Sequence, residues 1–280
     1  MAKSNWKAFP HPDKAYDYAG DKLAKAWTKL HAGDQEPFPD EKHVARLLKA
    51  NSKLGKDAGE IADALQDAWR AFHRGDFHEA YEAGTGLKAL GASVAVKAGG
   101  IHATYLVDND KEKTARFDAL AKLADEAIAA LPDEANSHYR RAFALGRYSQ
   151  TISITQALAQ GIGGKVKESL DKALKLAPKH AEAHTALGVY HAEIVGKVGG
   201  MLAKLTYGAS AAEAEKQLKE ALKLTSDSPI AHVEYGNALM LLYGDKREDD
   251  VAEAYAKAAK LKPKDAMEAL DAAWAKEQIE

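Results

Sequence analysis

Cysteine is absent from the 280 residues. That excludes disulfides, thiolate metal sites and cysteine nucleophiles together, and leaves the redox compartment open. No apolar run reaches the roughly 18 residues that a membrane span needs, so none is expected. An excess of one charge is missing too. The 39 Lys and Arg stand against 41 Asp and Glu, which gives nucleic acid or an anionic bilayer no surplus of cations to draw on. Strand-like runs of β-branched residues between turn signals are also lacking. The opening stretch, MAKSNWKAFPHPDK, has no apolar centre of the kind a signal peptide carries. The expectation is a soluble protein without a membrane span, cytoplasmic as numbered and periplasmic if the chain is a processed, exported form.

What is present is helical periodicity. In KVKESLDKALKL, Val166, Leu170, Ala173, Leu174 and Ala177 recur at spacings of three and four, which puts them on one face of a helix. Ala, Leu, Lys and Glu dominate, all strong helix formers. Turn signals at GDQEPFPD, KLGKDAG, HRGDF, ALGAS, VDND, LPDEA, LAPKH, LTSDS, YGDKRED and LKPKD cut the chain into short-looped hairpins. The pattern predicts an all-α protein of about thirteen helices, the first running from about Asp13 to Ala32, with Asp40 capping the second.

LPDEANSHYRRA, APKHAEAHTALG and SDSPIAHVEYGN align as a turn, a spacer, a histidine and a small residue four positions on. Before these turns stand DEAIAALP, DKALKLAP and KEALKL, and Pro229 to Pro263 spans one period of about 34 residues. Gly75, Asp76, Phe77 and Ala80 form a Gly-Asp-aromatic-x-x-Ala turn. These features resemble the tetratricopeptide repeat (TPR) and imply a right-handed superhelix of antiparallel helix pairs. Ala142, Gly188 and Gly236 would let the paired helices approach closely, and the recurring His138, His184 and His232 read as packing residues bonded to a neighbouring helix. Three segments follow: an N-terminal helical segment (1–56), degenerate TPR-like hairpins (57–132), and repeats with two extended hairpins and a capping helix (133–280). All three are expected to form one continuous domain.

Two repeats are too long. From His138 to Ala173 and from His184 to Ala221 the spacing exceeds a regular repeat by about a dozen residues. The excess, RYSQTISITQALAQGIGG and VYHAEIVGKVGGMLAKLTYGASAAEAE, keeps helical apolar spacing and carries paired glycines at Gly163–Gly164 and Gly199–Gly200, where a chain reversal is cheap. Ser210 reads as the cap that restarts the helix. His184, Leu187, Gly188, Leu202, Leu205, Tyr207, Gly208, Ala209, Ser210, Ala211, Glu213 and Ala214 resemble the TPR region of the regulator-of-microtubule-dynamics family, over roughly Asp133 to Lys262. That resemblance implies a non-enzymatic helical solenoid linked to partner binding and, in one branch, to phospholipid binding. Organelle tethering by the animal branch's anchor is not implied for this chain. TPR-like solute-binding accessory proteins of bacterial transport systems are a looser resemblance.

Candidate chemistry is thin. His180, His184 and His191 share a helix, but there is no His-Glu-x-x-His, and no metal or cofactor is expected. GIGGKVKES lacks the preceding strand, glycine spacing and Ser/Thr of a phosphate loop. Ser149 and Ser153 belong to no visible catalytic set, so no enzyme is expected. Repeat register instead places Trp69, His73, Tyr139, Phe143, Arg147, Val189, Glu193, Val233, Asn237 and Met240 on the concave face, a mixture suited either to an open apolar groove or to a core covered by the N-terminal helices. Ile194, Met201, Leu202, Leu205 and Tyr207 belong to the extended hairpin beside it. The expected partners are a peptide, a protein or a hydrophobic small ligand. The alternative is a scaffold in which the hairpins form a homo-oligomer interface.

Overall fold

A computed structural model describes residues 6–280; residues 1–5, part of the opening stretch read for a signal peptide, lie outside it. Among the described residues there are fifteen α-helices, four short 3-10 turns and no strand. The helices are α1 (Lys22–Leu30), α2 (Glu41–Ala50), α3 (Ala58–Arg74), α4 (Phe77–Gly86), α5 (Ala92–Tyr105), α6 (Asp110–Ala130), α7 (Ala135–Gln150), α8 (Ile154–Ala159), α9 (Ile162–Leu176), α10 (Ala181–Val198), α11 (Gly200–Tyr207), α12 (Ala211–Leu224), α13 (Pro229–Tyr243), α14 (Glu248–Lys260) and α15 (Ala266–Glu277). The helix expected over Asp13–Ala32 is shorter. Gly20, at φ 56°, turns the chain ahead of α1, and only a 3-10 turn at Lys14–Tyr16 precedes it.

The caps follow ordinary chemistry. Asp40 accepts from the His43 amide at 2.7 Å, and Ser210 accepts from the Glu213 amide at 3.2 Å; each satisfies a donor that a helix start leaves free. The recurring histidines turn out to be ties to their own turns. Nε2 of His138, His184 and His232 lies 2.8, 3.0 and 2.9 Å from the carbonyl oxygens of Pro132, Pro178 and Ser226, six residues back. Each imidazole thus holds the first turn of one helix to the end of the connection before it. Only His184 also reaches the next helix, through Gln217 at 2.6 Å.

The helices pair as α3/α4, α5/α6, α7/α9, α10/α12 and α13/α14, with α15 as the last. Close approach is required at Gly188, where a Cβ would sit 2.5 Å from Leu218 of α12, and at Gly236, where it would sit 2.6 Å from Tyr255 of α14. The inner helices α3, α5, α7, α10, α13 and α15 each contact the next, and α15 returns to α3. Leu270 and Ala266 of α15 share one core cluster with Trp69 and Phe72 of α3, and His73 Nδ1 lies 2.7 Å from Asp265 Oδ2. The row of inner helices therefore closes on itself and encloses a space.

The N-terminal segment fills one part of that space. Trp27 and Leu23 of α1 pack on Trp69, and the loop after α1 inserts Asp34 between the inner helices. At the far ends of α7 and α10 the two long hairpins project as α8 and α11. Gly199, at φ 80°, separates α10 from α11. In the first hairpin the reversal lies at Gly161, φ 63°, while Gly163 and Gly164 sit inside α9. A positive φ is needed at one residue only, so the glycine pair after it continues the helix.

Candidate functional site

The space is a cavity of about 240 Å³, open to solvent where Ile154 and Leu158 are each 55% exposed, and lined by the inner faces of α5, α7, α10, α13 and α15 and by the hairpins around α8 and α11. Its walls differ in character. From α7 through α11 come Ile154, Leu158, Ile194, Val198 and Tyr207, an apolar wall. From α5, α7, α13 and α15 come Tyr105, Arg147, Glu234 and Asp271, and near the N-terminal segment come Lys97, Arg140 and Glu182.

The polar groups are almost all paired. Asp34, fully buried, receives Lys97 Nζ at 2.6 Å and Arg140 Nη2 at 2.7 Å and contacts His31 Nδ1 at 2.8 Å. Glu182 takes a second contact from Lys97 at 3.2 Å and from Arg140 at 3.5 Å. Burial alone would push the Asp34 carboxyl up; Lys97, His31 and Arg140 outweigh it and hold the group well below the usual carboxylate range. Glu36 shows the reverse. Burial first, then the charge of Asp34, raise it to about 7. Burial also lowers His31 and His180 to about 4. His180 is neutral by geometry as well. Its Nδ1 accepts the Ala183 amide at 3.0 Å, which leaves Nε2 to donate to Asn136 Oδ1 at 2.9 Å.

Farther along, Arg147 Nη2 meets Glu234 Oε1 at 3.0 Å across α10. The Tyr105 hydroxyl donates to Asp271 Oδ1, joining α5 to α15. Burial, with the Asp271 charge second, holds the Tyr105 hydroxyl well above its ordinary range. Asp271 is 1% exposed, and its Oδ2 has no hydrogen-bond partner among the described residues.

The structure divides the residues read from the repeat register. Tyr139, Phe143, Arg147, Val189 and Glu193 line the cavity, together with Ile194 and Tyr207 of the hairpin. Trp69 and His73 are buried beneath α1 in the first core cluster. Val233 packs with Ala258 and Ala275, and Asn237 is held by the Tyr255 hydroxyl at 2.7 Å. Met240 is exposed outside the cavity. Met201, Leu202 and Leu205 lie on the outer face of α11, at 82%, 52% and 79% exposure, with Ala203 buried behind them. His180, His184 and His191 take separate roles, and no group of three or more His, Asp or Glu among the described residues is placed to hold a metal ion. Sequence reading missed Lys97, Tyr105, Glu182, Glu234 and Asp271. One had a visible signal, since Lys97 in ASVAVKAGG is a lone charge on an apolar helix face.

The family model described as "Regulator of microtubule dynamics protein 1-3" matches residues 98–278, more than half the chain and wider than the motif-bearing stretch. The chain belongs to that family. The matched span begins inside α5 and ends after α15, so it takes in the cavity-lining parts of the inner helices, both long hairpins and Asp271. A thermophilic TPR protein from Thermus thermophilus, known from its crystal structure, superposes with a TM-score of 0.53 at 16% identity, covering 77% of this chain and 98% of that one. It shows the fold: a TPR-like helical solenoid. No curated protein sequence matches the chain. No helix among the described residues is long and apolar enough to cross a membrane.

Proposed function

We propose that this member of the regulator-of-microtubule-dynamics family is a non-enzymatic binding protein whose closed concave face takes an apolar small ligand or the apolar side chains of a peptide. The observation that carries this is the cavity of about 240 Å³ walled on one side by Ile154, Leu158, Ile194, Val198 and Tyr207. The duplicated hairpin extensions supply that wall, which a regular repeat would lack. Largely apolar lining with a few fixed polar groups is the usual make-up of a small-molecule site. The polar groups here are mostly bound to one another, an arrangement suited to holding a shape. Native mass spectrometry and solvent extraction of the purified protein test the proposal, with thermal-shift titration of acyl-chain ligands. A co-purifying molecule, or a shift with chain length, supports it; an empty extract with no shift turns the function toward a protein partner.

A second reading has its own observation. Met201, Leu202 and Leu205 expose an apolar face on α11 that the described residues do not cover. On this reading α11 docks another subunit. Sedimentation would then show a concentration-dependent dimer that Met201→Asp or Leu205→Asp abolishes, and a strict monomer would exclude it.

A further inference from the structure

Every cation that lines the cavity already has a carboxylate. Lys97 is held by Asp34 and Glu182, Arg140 by the same two, Arg147 by Glu234, and the exposed Lys197 by Glu193 at 2.9 Å. One carboxyl oxygen of the lining is different. Oδ2 of Asp271, on a residue 1% exposed, has no hydrogen-bond partner among the described residues, while Oδ1 is taken by the Tyr105 hydroxyl. A buried polar atom left unmatched is costly unless something supplies the missing contact. An anionic head entering this space would find no free cation. A cationic N–H donor would find a free carboxyl oxygen.

We infer that the cavity binds an amphipathic amine, its protonated N–H head on Asp271 Oδ2 and its apolar body along the wall formed by Ile154, Leu158, Ile194 and Val198. For this to hold, the cavity must be a ligand site, as proposed above. The surrounding charge favours the same sign of head. Burial first, then Glu268 of α15, Asp265 at its N-cap and Glu182 of α10, oppose a negative charge on Asp271 and hold its carboxyl well above the usual range. The Tyr105 hydroxyl on α5 works the other way without reversing the direction. Arg147 on α7, which lowers Tyr105, and Glu234 on α13, which raises it, are paired with each other. Protonation of Asp271 is thereby favoured in the free protein. An arriving ammonium ionises the group and forms a charge-assisted pair, and the displaced proton leaves to solvent.

Calorimetric titration of the full chain with decylamine, decanol and decanoate tests this, since the three share a chain and differ in the head. Decylamine is expected to bind about tenfold or more tightly than decanol, the scale of one charge-assisted hydrogen bond. Its heat should depend on the buffer's ionisation enthalpy, because amine binding releases a proton from Asp271, while decanol releases none. In Asp271→Asn the amine preference and the proton release should both vanish and decanol binding persist. An amine no tighter than the alcohol, a preference that survives in Asp271→Asn, or decanoate as the tightest of the three overturns the amine head and leaves the cavity as a ligand site. Failure of all three chains to bind overturns both. If Asp271→Asn does not fold, the proton release of the unsubstituted protein decides.

Discussion

Replacing Asp34 by Asn is the sharpest test of how the N-terminal segment is held to the inner helices. The side chain is fully buried, and its Oδ2 receives both Lys97 at 2.6 Å and Arg140 at 2.7 Å. Asn keeps the shape and removes the charge. Two buried cations then share Glu182, at 3.2 and 3.5 Å, with Glu36 4.0 Å from Arg140. Breaking a buried pair by removing one partner costs about 3–5 kcal/mol, because the remaining charge stays desolvated. Here the lower end, about 3 kcal/mol, is expected. Glu36 stands at about 7 partly because of the Asp34 charge, so losing that charge lets Glu36 ionise and serve as a substitute counter-ion.

That compensation makes the prediction specific. Asp34→Asn and Glu36→Gln should be non-additive, the double variant losing about 1 kcal/mol or more beyond the sum of the singles. Urea denaturation followed by circular dichroism measures all four proteins. The pH dependence has a fixed sign as well. A carboxylate depressed in the fold stabilises above its unfolded pKa and loses that contribution only as pH falls through the lower folded value. The gap between wild type and Asp34→Asn should therefore stay constant from about pH 8 to pH 5 once the Glu36 contribution is removed by working in the Glu36→Gln background. A loss under about 1 kcal/mol, or strict additivity, would refute the reasoning.

Three further outcomes are expected. His180, lowered to about 4 from 6.5, contributes stability that is fully present above pH 6.5 and is lost as pH falls toward 4, up to about 3 kcal/mol at 1.36 per unit. His180→Asn, which keeps a capping side chain, should flatten that part of the acid limb. The comparison is made as wild type minus variant because Glu36 and Glu268, both raised to about 7, act with opposite sign; an unchanged slope would contradict the assignment. Gly188→Ala should cost about 1–3 kcal/mol in thermal or urea unfolding, since the new methyl meets Leu218 at 2.5 Å and the Ala214 carbonyl at 3.0 Å. Met201→Asp and Leu205→Asp should each change unfolding of the monomer by less than about 0.5 kcal/mol, because both side chains are mostly exposed, and a larger loss would mean that α11 packs more tightly than its exposure implies.

The repeats were legible because they are local. A turn proline, a histidine and a small residue at fixed spacing reflect contacts within one hairpin, and the structure puts Gly188 and Gly236 where those contacts are closest. The cap at Ser210 and the break at Gly199 follow from single-residue chemistry in the same way. The reversal of the first hairpin was misplaced by two residues because GIGG offers three glycines and only Gly161 takes a positive φ. Repeat register also overextended the groove. It assigns the same face to every first helix and knows nothing of α1, which lies over Trp69 and His73.

What sequence could not supply was closure. That α15 returns to α3 depends on contacts such as His73 with Asp265, whose partners are 192 residues apart. Closure turns a concave face into a cavity and brings Asp271 of the last inner helix beside Tyr105 of α5. The Asp34 network is long-range too, but it comes from insertion of the loop after α1, which gathers groups from α5, α7 and α10. Each of these acids reads locally as an ordinary helix or turn residue. Their chemistry comes from being placed together where water is excluded: there one carboxyl is held well below the usual range by its cations, while another, with no cation to meet it, is held well above it. A solenoid that stayed open would separate Asp271 from Tyr105, so the raised carboxyl of Asp271 is tied to ring closure, whereas the lowered one of Asp34 is tied to the loop after α1.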